Sequence, residues 1–166
     1  MRIEWIEKQM AEAEQLIYSN DIKTALALLD DLLYDEPGYG SLHNHLGWAY
    51  LYYTNEIEKA ERHLKLAIRF DDAFAVPYLH LGTLYSRVTR YDEAITILRK
   101  GLTRPNANRI AFLESIAQAY ELKKEFRGAI RMYKEALMVT VGGNGDHLTE
   151  AIKRCRRKRL VMMFTF

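Results

Sequence analysis

A repeat of about 35 residues runs through this chain and restricts its fold more than any other feature of the sequence. Tyr50, Tyr85 and Tyr120 follow one another at steps of 35 residues, and each has a small residue three positions earlier. A column of alanines recurs at steps of 35, 34 and 35 residues, at Ala25, Ala60, Ala94 and Ala129. Self-similarity at this period is typical of proteins built from stacked helical repeats.

Each repeat contains two amphipathic stripes with the spacing of an α-helix. In the third repeat Tyr78, Leu81 and Tyr85 fall three and four positions apart, which places them on one helical face. Gly82 inside this helix costs about 1 kcal/mol relative to alanine, which is acceptable where a partner helix must approach closely. The pattern predicts nine helices, at about 2–18, 21–34, 40–53, 56–70, 74–86, 91–103, 108–122, 126–139 and 146–160.

The repeated residues resemble the tetratricopeptide repeat (TPR) family, whose pattern is W-x₂-L-G-x₂-Y…A-x₃-F…P. The third repeat matches it through Tyr78, Leu81, Gly82, Tyr85, Ala94 and Leu98. The second repeat matches from His43 onward and the fourth from Leu113 onward, so that the resemblance covers about residues 5–140. It implies an all-α fold, a right-handed superhelical solenoid of antiparallel helix pairs with about four repeats plus a C-terminal capping helix.

Two segments of one domain are expected from this resemblance. Residues 1–141 would form the repeat array, and residues 142–166 would add a glycine-rich turn, a basic capping helix and an apolar tail. In the family, the first helices of successive repeats line a concave groove that holds an extended peptide or a helix of another protein. The corresponding positions here are Asn44, Trp48, Leu51, Tyr52, Leu79, Thr83, Arg87, Glu114, Gln118 and Glu121.

Trp48 is the residue of this set that we single out. It lies two positions before the core tyrosine Tyr50, and it therefore points away from the core face of its helix. It either packs against a neighbouring helix or anchors a partner, since aromatic side chains concentrate at binding hot spots. Some TPR proteins clamp the acidic tails of heat-shock chaperones with lysine, asparagine and arginine. Leu79 and Thr83 stand at clamp positions here, so the cationic members are missing and this co-chaperone role is not expected.

No motif in the sequence predicts catalysis, phosphate binding or a metal centre. The single cysteine, Cys155, excludes an intrachain disulfide framework and favours a reducing compartment. His43 occupies the column of Tyr78 and Leu113, which predicts a core histidine rather than a metal ligand. We therefore expect a protein that is not an enzyme and that uses no cofactor and no metal.

The charge of the chain is uneven, because residues 147–166 carry +5 while the rest carries −3. The basic run 153–159 is interpreted as a solvated face or a protein contact, in preference to nucleic acid or a membrane. The apolar run Leu160–Phe166 that follows is expected to be buried against other residues rather than exposed to water. We expect it to pack against the last repeat of its own chain, or else to dock onto a second copy.

These observations favour a cytoplasmic adaptor or chaperone-like module that binds a segment of another protein without chemistry. One alternative is a self-associating structural subunit that uses the apolar tail, and another is a small TPR chaperone of a bacterial secretion system. No apolar run approaches the roughly 18 residues of a membrane span. Acidic residues interrupt the N-terminal stretch where a signal peptide needs apolar residues, so a soluble protein is expected.

Overall fold

The computed structural model describes residues 2–140, 142 and 145–164. Within these residues the chain forms nine α-helices and no strand, as the repeat pattern predicts. Their bounds are α1 Arg2–Tyr18, α2 Ile22–Asp35, α3 Gly40–Tyr53, α4 Ile57–Phe70, α5 Val76–Arg87, α6 Tyr91–Leu102, α7 Arg109–Leu122, α8 Phe126–Val139 and α9 Asp146–Met163. None of the described helices combines the length and the apolar character needed to span a membrane.

The helices group into two compact units, one up to His80 and one from Leu81 onward, with α5 contributing residues to both. In the first unit α1 packs on α2, α3 packs on α4, and α3 also contacts α1 and α2. In the second unit α7 packs on both α6 and α8, and α9 packs on α8. The predicted division of the chain at residues 141 and 142 stays a prediction.

The turns inside three of the helix pairs share one local geometry. Asn20, Thr89 and Lys124 each adopt a left-handed backbone conformation, with φ of 68°, 62° and 65°. The next residue in each turn donates its N–H to a carbonyl five positions back, as in Asp21 to Leu16 at 2.8 Å. This is the bond pattern that ends a helix with a Schellman motif. The second repeat turns differently through extended Thr54, whose hydroxyl donates to the Tyr50 carbonyl at 2.9 Å.

Close helix approach explains the glycines of the first helices. A Cβ on Gly47 would lie 2.6 Å from Cγ of Leu64 in α4, and a Cβ on Gly82 would overlap the Leu98 side chain in α6. Alanines on the second helices are fully buried, Ala60 and Ala94 among them. The prediction that Gly82 stands where two helices need close contact is therefore confirmed. Asn108 caps the start of α7, because its side chain accepts from the Ala111 N–H at 3.1 Å.

Candidate functional site

In the first unit, the predicted groove residues of α3 lie within a cluster of aromatic rings. Trp48 is half-buried and makes edge-to-face contacts with Tyr18 of α1, at 6.1 Å between ring centroids, and with Tyr53, at 5.2 Å. Tyr52 contacts His80 of α5 in the same way at 5.8 Å. Tyr18 is 65% exposed and Tyr52 is 40% exposed. The cluster thus combines rings that pack against one another with aromatic surface that stays exposed.

Asn44 and Leu51, two other predicted groove residues, are buried in this unit, and Leu79 is half-buried. Leu51 is 1% exposed and contributes packing rather than surface. Asn44 is 6% exposed, and no hydrogen-bond donor reaches its Oδ1 from any residue that the structure describes. A buried acceptor without a donor costs about 1–3 kcal/mol. Asn44 is therefore the least satisfied polar group of the predicted set in the first unit.

In the second unit, predicted groove residues surround a surface concavity of about 400 Å³. Its lining consists of Thr83, Ser86, Arg87, Thr89, Tyr91, Ser115, Gln118 and Leu122. Thr83, Arg87 and Gln118 come from the predicted set, and α5 and α7 present them to one space. Hydroxyl, amide and guanidinium groups stand in this wall beside the apolar surface of residues such as Tyr91 and Leu122. Such groups can donate to the carbonyls of an extended polypeptide, and the hydroxyls and the amide can accept from its N–H groups.

The two predicted carboxylates of α7 are engaged by α9. His147 Nε2 lies 2.9 Å from Glu114 Oε1. Glu121 accepts two parallel bonds from Arg154, both at 2.8 Å, and a third from Lys158 at 2.8 Å. The Arg154 guanidinium is the main reason that the pKa of Glu121 falls to about 2. The Glu121 side chain is only 10% exposed, so it holds the capping helix rather than offering a free carboxylate to a partner.

Histidines are concentrated in the first unit, and their contacts define their protonation. His43 Nε2 faces the Pro37 carbonyl at 3.0 Å, and it must therefore carry the hydrogen. His43 Nδ1 is then an acceptor, and His63 Nδ1–H donates to it over 3.0 Å. Burial lowers the pKa of His43, and burial together with the neighbouring His43 lowers the pKa of His63 to about 4. The prediction that His43 is a satisfied core histidine is confirmed.

A second histidine contact was not foreseen from the sequence. His45 Nε2 lies 2.8 Å from Glu14 Oε1 in α1, while its Nδ1 faces the Ser41 carbonyl at 2.8 Å. Burial is the main cause that lowers the pKa of His80 to about 4, and His45 contributes. The sequence carries no local signal for the contact with Glu14, because the two residues lie 31 positions apart.

The single cysteine offers no reactive thiol. Cys155 is fully buried on the face of α9 that packs on α8. Burial raises the pKa of its thiol to about 11, and the charge of Glu121 adds to this effect. A nucleophilic cysteine needs the opposite, an accessible thiolate with a lowered pKa.

The comparisons with known proteins agree with a helical-repeat protein of the TPR class. Residues 78–110 match the family model described as Tetratricopeptide repeat. The resemblance drawn from the sequence is thereby confirmed, and the all-α helical-repeat solenoid is the fold class. No curated protein matches the chain.

Three solved structures illustrate the likeness of fold. PilF of Pseudomonas aeruginosa is 16% identical, with a TM-score of 0.84 over 95% of this chain and 70% of its own. A MamA protein is 23% identical, with a TM-score of 0.71 over 80% of this chain and 72% of its own. A thermophilic TPR protein from Thermus thermophilus is 20% identical, with a TM-score of 0.71 over 93% of this chain and 81% of its own. The TPR family is generally a non-catalytic scaffold for protein interactions.

Proposed function

We propose that this protein is an adaptor that binds an extended segment of another polypeptide on the faces of its first helices, without chemistry. The observation that carries the proposal is the concavity of the second unit, which is lined by the predicted residues Thr83, Arg87 and Gln118. The hydroxyl, amide and guanidinium groups in its wall suit the main-chain groups of an extended peptide, which any sequence offers. The fold supports the same proposal, since TPR arrays are generally interaction scaffolds.

Two features of the first unit extend the proposal to side-chain recognition. The open rings around Trp48 suit an apolar or aromatic side chain of the bound segment, as aromatic hot spots do. The buried Asn44 Oδ1 would gain a donor if a main-chain N–H of the segment reached it. An apolar anchor beside a main-chain contact would let the first unit select a segment by its sequence.

The experiment begins with peptides selected from a random display library against the full chain. Binding of a selected peptide is then titrated calorimetrically with four variants. Trp48→Ala should weaken binding by about 2 kcal/mol, or roughly thirty-fold in Kd. Trp5→Ala, which removes the half-exposed tryptophan of α1, is its matched control and should bind as the wild type does.

The second unit is tested by an equivalent pair of variants. Arg87→Ala should lower affinity, because Arg87 lines the concavity. Arg131→Ala removes an exposed arginine of α8 that does not line it, and affinity should stay unchanged. Equal affinity of Trp48→Ala, Arg87→Ala and the wild type for every selected peptide would contradict the proposal. Circular dichroism of each variant separates lost binding from lost folding.

A further inference from the structure

The end of α9 extends beyond the part of the helix that packs. Its buried residues are Leu148, Ala151, Ile152 and Cys155, whereas every described residue from Arg156 to Phe164 is exposed. The apolar side chains at this end are exposed by 55% at Leu160, 60% at Val161, 39% at Met162, 63% at Met163 and 82% at Phe164. Thr165 and Phe166, which complete the predicted apolar tail, lie outside the described residues. The expectation that the tail packs on its own chain is wrong for Leu160–Phe164.

Two grooves flank this end of α9, where it passes the start of α8. They measure about 520 and 700 Å³, and Lys124, Phe126 and Met162 line both. Arg159 lines the first groove, Arg157 lines the second, and Arg156 is exposed on the same helix. These three arginines form no ion pair with any residue that the structure describes. We call this surface the tail patch: the apolar residues Leu160–Phe164 together with these three arginines. It is both apolar and cationic.

The start of α1 and the end of α2, in the first unit, combine acidic residues with exposed apolar side chains. Arg2 donates to the Asp35 carbonyl at 3.1 Å and pairs with Glu36 at 2.9 Å, which places the start of α1 beside the end of α2. Three apolar or aromatic side chains are exposed there, by 60% at Ile3, 49% at Trp5 and 89% at Tyr34. Asp31 and Asp35 accompany them on α2 and are exposed. These five residues are the head patch.

The segments that carry the two patches have net charges of opposite sign. Residues 2–36 contain nine acidic and three basic residues, a net charge of −6. Helix α9 contains six basic and two acidic residues, a net charge of +4. Pairing α9 with α9 of a second copy would place like charges together, whereas pairing α9 with α1 and α2 brings opposite charges into contact. Each patch also offers exposed apolar side chains, whose burial stabilises an interface.

We propose that the tail patch of one copy docks on the head patch of a second copy, so that copies associate head to tail. The aromatic rings of Trp5 and Tyr34 would seat against Met162 and Met163, a contact that sulfur and aromatic rings favour. The arginines of the tail patch would face the aspartates of the head patch. Because the tail patch and the head patch are different surfaces, the contact is heterologous. Each associated pair therefore leaves one tail patch and one head patch open for a further copy. This association uses no residue of the proposed peptide-binding faces.

The test uses two variants of the full chain. Met162→Ser with Phe164→Ser disables the tail patch, and Trp5→Ser with Tyr34→Ser disables the head patch. Met138→Ser, at a methionine of α8 that is 86% exposed and outside both patches, is the control. Sedimentation equilibrium over a range of concentrations should show masses above the monomer for the wild type and the control, and the monomer for each double variant. Circular dichroism checks that all variants fold.

Mixing the two double variants makes the test decisive. One retains an intact head patch and the other an intact tail patch, so the mixture should form a dimer and nothing larger. Association of the wild type should weaken with added salt, since the Debye length falls from about 10 Å at 0.1 M to about 3 Å at 1 M.

Four results would overturn the proposal. The first is a wild type that stays monomeric at every concentration, and the second is a mixture of variants that forms no dimer. The third is that Met162→Ser with Phe164→Ser abolishes binding of the protein to phosphatidylserine vesicles but leaves the mass measured by sedimentation unchanged. The tail patch would then bind an anionic lipid surface. Masses that persist in both double variants would likewise assign the association to another surface.

Discussion

Replacing Glu121 by glutamine should loosen the capping helix α9, because this carboxylate is the main polar link between α7 and α9. It accepts bonds from Arg154 and Lys158 with all distances at 2.8 Å, and its side chain is 10% exposed. Those bonds lower its pKa from 4.5 to about 2. At about 1.4 kcal/mol per pH unit, the difference corresponds to about 3 kcal/mol of stabilisation that only the charged carboxylate has.

The expected loss of stability can be measured by thermal unfolding of Glu121→Gln, with circular dichroism as the signal. For a chain of this size, about 3 kcal/mol lowers Tm by about 6–12 °C. Hydrogen exchange should also rise along α9, where the released helix opens first. Because the folded pKa is below the unfolded one, the stabilisation is complete above pH 4.5 and is lost as pH falls towards 2. The difference between variant and wild type should therefore shrink over that range.

Glu125→Gln is the matched control for this variant. Glu125 pairs with Lys123 at 2.7 Å, but its side chain is 48% exposed, and exposed pairs contribute about 0–1 kcal/mol. A Tm for Glu121→Gln that falls no further than that of Glu125→Gln would refute the assignment of Glu121 to α9. It would then return Glu121 to the residues available to a partner.

Two further predictions concern the packing of the repeats. Gly82→Leu should lower the free energy of unfolding by more than the roughly 1–3 kcal/mol usual for overpacking, since even a Cβ overlaps Leu98; an unchanged denaturation midpoint would contradict this. Lowering the pH from 6.5 to 4 should destabilise the fold, because the unfolded chain binds a proton that folded His63, with its pKa of about 4, does not. His63→Gln should show about 3 kcal/mol less of this acid loss than the wild type, and parallel pH profiles would contradict it.

The helices and their core faces could be predicted from the sequence because they depend on local periodicity. The columns of Gly47, Gly82 and the alanines fixed the register of the repeats, and the structure places them where helices approach closely. The cap at Asn108 was equally local, since it depends on a side chain and an N–H three residues apart. Such features need no knowledge of distant parts of the chain.

The roles of individual groove positions were harder to predict because they depend on residues far apart in sequence. Glu121 lies on the predicted face of α7, yet its partners are 33 and 37 residues further along the chain. The link between His45 and Glu14 spans 31 residues in the same way. The tail was misjudged for another reason. Helix α9 continues to Met163, three residues past its predicted end, and this carries the apolar run beyond the packed part of the helix.

Hydrogen–deuterium exchange with and without a saturating selected peptide tests most directly whether the first helices bind a partner. Slower exchange is expected in α3 of the first unit and in α7 of the second, together with α5, because these helices carry Trp48, Gln118 and Arg87. Exchange in α4, α6 and α8 should stay close to that of the free protein. Protection confined to those second helices, or to the end of α9, with α3, α5 and α7 unchanged, would contradict peptide binding on the first helices.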